Sequence, residues 1–265
     1  MVSVTTSIED GVAEVRLARP EKHNGLDLAM FEGLVAAGEA LLADRSVRAV
    51  ILCGEGPSFC AGLDFKAFMT GGPEIQRKLL GWKDGHLGNL AQRIAWIWTE
   101  VPAPVIAAVH GSCFGGGLQI ALGADIRIVA PDAKLSVLEI RWGLLPDMTG
   151  VQSLVRLVGL DRAKELAFTG RDVDGREAVS LGLATRVADD PLTEARALAR
   201  TIAAQSPEAI RAAKQLWQRA PELDDASALA LETALQLPLL GSRNQLEAVM
   251  ARMQKRAPKF EDPKS

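Results

Sequence analysis

The sequence predicts an α/β fold with its strands early and its helices late. Three observations carry this: apolar and polar residues alternate on both sides of an Asp-Gly pair near the start, short β-rich runs that end in glycine loops follow, and the last third has helical spacing almost throughout. The 265 residues are 48% hydrophobic and 24% charged, the composition of a globular chain rather than a disordered or fibrous one. A length of about 250–300 residues suits one large domain or a domain with an appendage.

Val2–Ile8 and Val12–Leu17 flank Asp10-Gly11 and read as a β-hairpin. Asp27 can cap a helix that runs to about Leu42, because Met30, Leu34, Ala37 and Leu41 recur at three- and four-residue steps. Val47–Cys53 is a strand that enters a loop at Gly54, Gly56 and Pro57. Gly71–Gly88 has weak periodicity and reads as a loosely held helix or a lid. Val105–Val109 is a second buried strand, followed by a glycine loop and a helix that starts at Leu118–Leu122. Ile126–Val129 and Leu135–Val137 continue the strands, so two ββα-like units stand in sequence without detectable repetition. From Thr149 onward the spacing predicts helices at Val151–Val158, Arg162–Phe168, Thr193–Ala204, Pro207–Arg219, Ala226–Leu237 and Asn244–Lys255. Their broad Ala/Leu faces must pack on the strand core or on another subunit, and a homo-oligomer is expected.

Composition also excludes classes of function. Apolar runs such as Val105–Val109 fall far short of the roughly 18–20 residues that span a bilayer, and the start MVSVTTSIEDG lacks the pattern of a signal peptide. No membrane association and a cytoplasmic address are expected. A net charge of −3 offers no general attraction to nucleic acid, so no nucleic-acid partner is expected. Cys53, Cys60 and Cys113 lack CxxC spacing and are odd in number, which points to reduced thiols rather than zinc or a disulfide framework.

Two glycine loops follow strands and enter helices: Gly54–Asp64 and His110–Gln119. If they face each other, their free backbone N–H groups can hold an oxyanion; otherwise the glycines serve only tight turns. Phe59 stands where a dinucleotide fingerprint needs its third glycine, and no Gly-Lys-Ser/Thr phosphate loop occurs. Gly111-Ser112-Cys113-Phe114-Gly115 has the form of a nucleophile elbow with Cys for Ser, but His23, His86 and His110 all precede Cys113, against the hydrolase order. Glu139 and Asp147 remain, eight residues apart across the turn signal Gly143–Pro146. They can meet in one pocket, or Glu139 can be a surface residue and Asp147 a helix cap.

Taken together, Pro20–Leu26, Phe59–Asp64, Pro104–Gly117, Ala124–Arg127, Leu135–Gly150, Thr169-Gly170 and Lys255–Phe260 resemble the crotonase superfamily, the enoyl-CoA hydratase/isomerase family, across essentially the whole chain. The resemblance implies a crotonase-type ββα spiral over residues 1–195 that holds an acyl-CoA site. It implies a C-terminal helical trimerisation region over 196–265, giving a homotrimer or a dimer of trimers. It also implies an acyl-CoA substrate, with the coenzyme A thioester as substrate and no separate cofactor or metal. The thioester carbonyl would be held by the N–H groups of Leu63 and Gly116, the middle glycine of the triplet. The coenzyme would lie along His23, Asn24, Leu26, Ala61, Gly62, Asp64 and Phe65, with Lys255 reaching a neighbour's phosphates. Arg252 stands where the family often has an aromatic residue three positions before that lysine.

Efficient hydratases of this family carry one Glu two residues after the glycine triplet and another in the later turn; here these positions hold Gln119 and Glu139. An amide neither takes nor gives a proton at neutral pH, so Gln119 is expected to orient water or substrate. Glu139 followed by Asp147 resembles the proton-transfer pair of dienoyl-CoA isomerases, which have a further acid at the Gln119 position. The expected catalytic set is therefore Glu139, Asp147 and Gln119, and the expected reaction a double-bond shift in an unsaturated acyl-CoA. Hydration of a trans-2-enoyl-CoA, thioester hydrolysis, carbon–carbon cleavage, a non-catalytic acyl-CoA binder and an RNA-binding relative are the alternatives. His86 is a candidate for the acyl pocket, whereas the five tryptophans read as core or interface residues.

Overall fold

The computed structural model describes residues 2–82 and 87–263. β1 (Val4–Glu9) and β2 (Val12–Leu17) form the expected hairpin, with Asp10 and Gly11 both at positive φ, as a two-residue turn that matches strand twist requires. α1 (Leu28–Ala43) starts where the Asp27 carboxylate accepts the Met30 N–H at 2.9 Å. β3 (Ala49–Gly54) then lies parallel to β2.

Within the segment expected to be a loosely held helix or a lid, residues 71–80 are helical. α2 (Phe65–Leu80) bends at Gly72, whose φ of 58° breaks the helix ahead of Pro73, and its far end is anchored by buried Leu79. α3 (Leu90–Glu100) was not evident from spacing, because Ile94–Trp98 is apolar on every side; the Asn89–Gln92 capping box marks its start.

Thereafter each turn of the chain adds one strand to each of two sheets. β4 (Val105–Val109), β5 (Ser112–Phe114) and α4 (Gly116–Leu122) form one such unit. β6 (Ile126–Val129) and β7 (Lys134–Ser136) begin the next, which continues through a short 3-10 turn at Leu138–Trp142 to α5 (Gly150–Val158) and α6 (Leu160–Thr169). β8 (Val173–Asp174), α7 (Gly175–Leu181) and β9 (Arg186–Val187) complete the strands. The larger sheet has the order β1-β2-β3-β4-β6-β9 and the smaller β5-β7-β8. The chain closes with α8 (Pro191–Ala203), α9 (Pro207–Arg219), α10 (Asp225–Gln236) and α11 (Arg243–Met253). No helix among the described residues is long and apolar enough to cross a membrane.

β3 is buried on both faces, as its unbroken run Ala-Val-Ile-Leu-Cys foretells. Val50 and Leu52 join the main core with Leu34, Ile94 and Trp98, while Ala49, Ile51 and Cys53 meet Ala195 and Ala199 of α8. Residue 195 thus lies within a helix that belongs to the sheet, and a division of the chain at 195/196 cuts that helix. α9 is pinned to the core by Lys214, whose Nζ lies 2.7 Å from Asp125 and donates to the carbonyls of Trp98 and Ala103 at 3.1 Å. Lys214→Ala leaves the Asp125 charge and both carbonyls short of a buried partner, so it should cost about 3–5 kcal/mol, read as a lower denaturation midpoint.

Candidate active site

The first glycine loop is held from behind by the turn before α1. Buried Asn24 donates through Nδ2 to the carbonyls of Glu55 at 2.9 Å and Ser58 at 2.7 Å, and accepts the Arg19 N–H at 2.8 Å. His23 Nδ1 lies 2.9 Å from Ser58 Oγ. The Leu26 N–H donates to Gly62 O at 2.8 Å and the Asp64 N–H to Leu26 O at 3.0 Å, which leaves the Leu63 N–H between them free of this ladder. Asp64 caps α2 by accepting the Ala67 N–H and pairs with Arg19; the Ala67 N–H above all, with Arg19, holds its carboxyl below the usual range.

The second loop meets the first at Cys60, whose N–H donates to Ser112 O at 2.9 Å and whose carbonyl accepts the Phe114 N–H at 3.0 Å. This contact sets Gly62 beside the glycine triplet: a β-carbon built on Gly62 would lie 2.8 Å from Phe114 O and 3.8 Å from Gly116 N. Gly62 also has φ 87°, a conformation that side chains disfavour. Neither Leu63 nor Gly116 donates its N–H to a protein acceptor among the described residues. Both residues line one cavity of about 420 Å³, together with Ala61, Gly62, Phe65, Glu139 and Asp147.

Glu139 is displayed by the 3-10 turn after β7 and is only 9% exposed, so it is no surface residue. Its Oε1 accepts the Gln119 amide at 2.6 Å, and its Oε2 is buried without a partner. Burial pushes the Glu139 carboxyl up and the Asp147 charge adds to this, against bonds from its own backbone and from Gln119. Burial likewise raises Asp147. Asp147 does not cap a helix: the position before α5 is Thr149, at φ 67° and without a side-chain cap bond.

The structure corrects the role expected of Gln119. Gln119 does not line the cavity, and its carbonyl is taken by the N–H groups of Met148 and Gly150 at 2.9 Å, so it holds Glu139 rather than water or substrate. Asn24, at 0% exposure, and Leu26, at 1%, support the first loop from within and present no side chain to a coenzyme. Lys255 is exposed after α11 and does not line this cavity, and His86 lies outside the described residues.

Spacing alone did not single out Trp142, which packs against Phe65 with ring centroids 4.4 Å apart at the cavity edge. Burial raises the Cys60 thiol to about 12 and Cys113 well above its usual value, which removes the thiolate nucleophile for a second reason. A larger cavity of about 710 Å³ lies between α3, α9 and α10, but neither glycine loop reaches it. Among the described residues, no three His, Cys, Asp or Glu side chains cluster as metal ligands would.

Two facing glycine loops with free N–H groups and a buried carboxylate pair form an arrangement that can hold an oxyanion beside a group able to take a proton. The family profile for enoyl-CoA hydratase/isomerase matches residues 7–263, and the chain belongs to this family, as an enzyme of the crotonase fold. It is 35% identical over 262 residues to human enoyl-CoA hydratase domain-containing protein 2, mitochondrial, covering 95% of this chain and 86% of that protein. It is 32% identical over 257 residues to mouse methylglutaconyl-CoA hydratase, mitochondrial, covering 94% and 79%. The crystal structure of enoyl-CoA hydratase from Bacillus anthracis superposes with a TM-score of 0.90 at 30% identity, covering 97% of this chain and 98% of that one.

A carboxyl raised on folding binds its proton more tightly in the native state, so its contribution is complete below the unfolded value near 4.3 and is lost as pH rises through the folded value. Glu139→Gln should therefore be more stable than the unaltered protein at pH 8, with the difference shrinking as pH falls toward 4, measured by urea denaturation.

Proposed function

We propose that this enzyme shifts a double bond in an unsaturated acyl-CoA. The thioester oxygen would accept from the N–H groups of Leu63 and Gly116, each worth about 3–4 kcal/mol to an enolate in a dry site. With the enolate so stabilised, Glu139 takes a proton from the acyl chain as the C–H electrons move toward the thioester, and a proton returns at the other end of the allylic system with Asp147 as partner. Atoms balance, and the product has the substrate's mass. The observation that carries this reading is a carboxylate with one unpaired oxygen, Glu139 Oε2, on a residue that lines the same cavity as Asp147, with an amide rather than an acid at Gln119.

The acyl group should be an uncharged hydrocarbon. The cavity wall includes Phe31, Phe68, Leu79, Leu80, Leu144 and Leu145, and its only charged side chains among the described residues are Glu139 and Asp147. A carboxylate at the far end of the acyl chain would add a third negative charge with no cation among the described lining residues to pair it. Subunit contact through the helical region is part of the same reading, as a trimer or a dimer of trimers, because α10 buries none of its residues while Leu229 and Leu237 stand exposed. Hydration is the second reading, favoured by the names of the relatives.

Purified protein given a trans-2-enoyl-CoA, a 3-enoyl-CoA and a 3,5-dienoyl-CoA should turn one of the latter two into an isobaric product, resolved by mass and ultraviolet absorbance. Glu139→Gln should lower that rate by about 10²–10⁴-fold. A dominant product heavier by one water overturns the isomerase reading in favour of hydration, and tight binding without turnover favours a binder. Across acyl groups of equal length, a terminal carboxylate should lower kcat/KM at least about tenfold; equal rates would overturn the uncharged-acyl assignment.

A further inference from the structure

Two backbone N–H groups, of Met148 and Gly150, converge on a single side-chain atom, Gln119 Oε1, each at 2.9 Å. Between them Thr149 has φ 67° and ψ 8°, the left-handed conformation that turns successive N–H groups into a concave nest for an oxygen. An amide nitrogen placed in this nest would face two donors, so the carbonyl must occupy it and Nε2 must point away. There it donates to Glu139 Oε1 at 2.6 Å. Gln119 is 3% exposed, so its amide finds its partners within the protein.

We infer that Gln119 is a positioning residue that ties the two acids together: its carbonyl holds the 147–150 turn that carries Asp147, and its N–H group occupies Glu139 Oε1, so that Oε2 is the oxygen that exchanges the proton. This rests on Glu139 and Asp147 being the proton-transfer pair. Asp147 is the one charged group that acts on Glu139 among the described residues, and Gln119 is the side chain that donates to it. An N–H donor favours the ionised form, so Gln119 keeps Glu139 ready as a base despite its burial. A carboxylic acid at the same place could pass its own proton across the 2.6 Å contact; the amide cannot.

The test compares Gln119→Met, which keeps the side chain's reach without its hydrogen bonds, with Gln119→Glu, which fills the nest with a carboxylate. For each, the pH profile of kcat/KM is followed with whichever acyl-CoA the unaltered enzyme turns over. The Glu139 carboxyl is titrated separately by ¹³C NMR of glutamate-labelled protein, its signal assigned by loss in Glu139→Gln. In Gln119→Met both the acid limb and the NMR midpoint should rise by about one to two pH units, the size of a hydrogen bond to a charged group. In Gln119→Glu they should rise further. KM should change less than kcat, since Gln119 does not line the cavity.

Folded Gln119→Met protein with an unmoved midpoint would overturn the inference and leave Gln119 a mere prop for the turn. The titration needs no turnover, which separates the two ideas. A midpoint that moves in protein making no isobaric product refutes the isomerase reading and keeps the positioning role. Isomerisation lost in Glu139→Gln, with an unmoved midpoint in Gln119→Met, does the reverse.

Discussion

The site depends on one backbone contact, the pairing of Cys60 with the 112–114 strand. Through it the loop after β3 and the loop after β4 become neighbours, although more than fifty residues separate them in the chain. The approach is so close that a β-carbon on Gly117 would lie 2.6 Å from both Cys60 Cβ and Cys60 O, which only glycine tolerates. Everything polar in the cavity is arranged around this junction: the two free N–H groups lie on its two sides, and Gln119 projects from the helix that the second loop starts.

Against that rigid frame the carboxylates are held at a cost to stability. Glu139 is buried next to another acid, and the protein leaves its Oε2 without a partner where an exposed carboxylate would have water on both oxygens. Polar groups left short of partners in an interior are unfavourable, and they persist where function needs the open position. The apolar wall of the cavity works in the same direction, since apolar surroundings strengthen any hydrogen bond that the Leu63 and Gly116 N–H groups make.

Much of the fold was legible because periodicity and turn chemistry are local. The hairpin at Asp10-Gly11, the Asp27 cap, the strand Val105–Val109 and the helix Pro207–Arg219 follow from residues a few positions apart. The spacing rules missed α3, whose apolar run hides its period, and β5, three residues that form a strand only because β7 lies beside them. Thr149 could not be read at all: a β-branched residue disfavours positive φ, and its conformation is set by the nest it forms around Gln119.

The residues of the site were named from the sequence, because the two glycine loops, Glu139 and Asp147 are each marked by composition or by family pattern. Their chemical roles were decided elsewhere. Whether Glu139 faces water or a cavity, whether Asp147 caps a helix, and which way the Gln119 amide points all depend on atoms contributed by segments distant in the chain. Burial and hydrogen-bond direction are properties of the assembled packing, whereas side-chain identity and local spacing are properties of the sequence, and the geometry of the candidate site needs both.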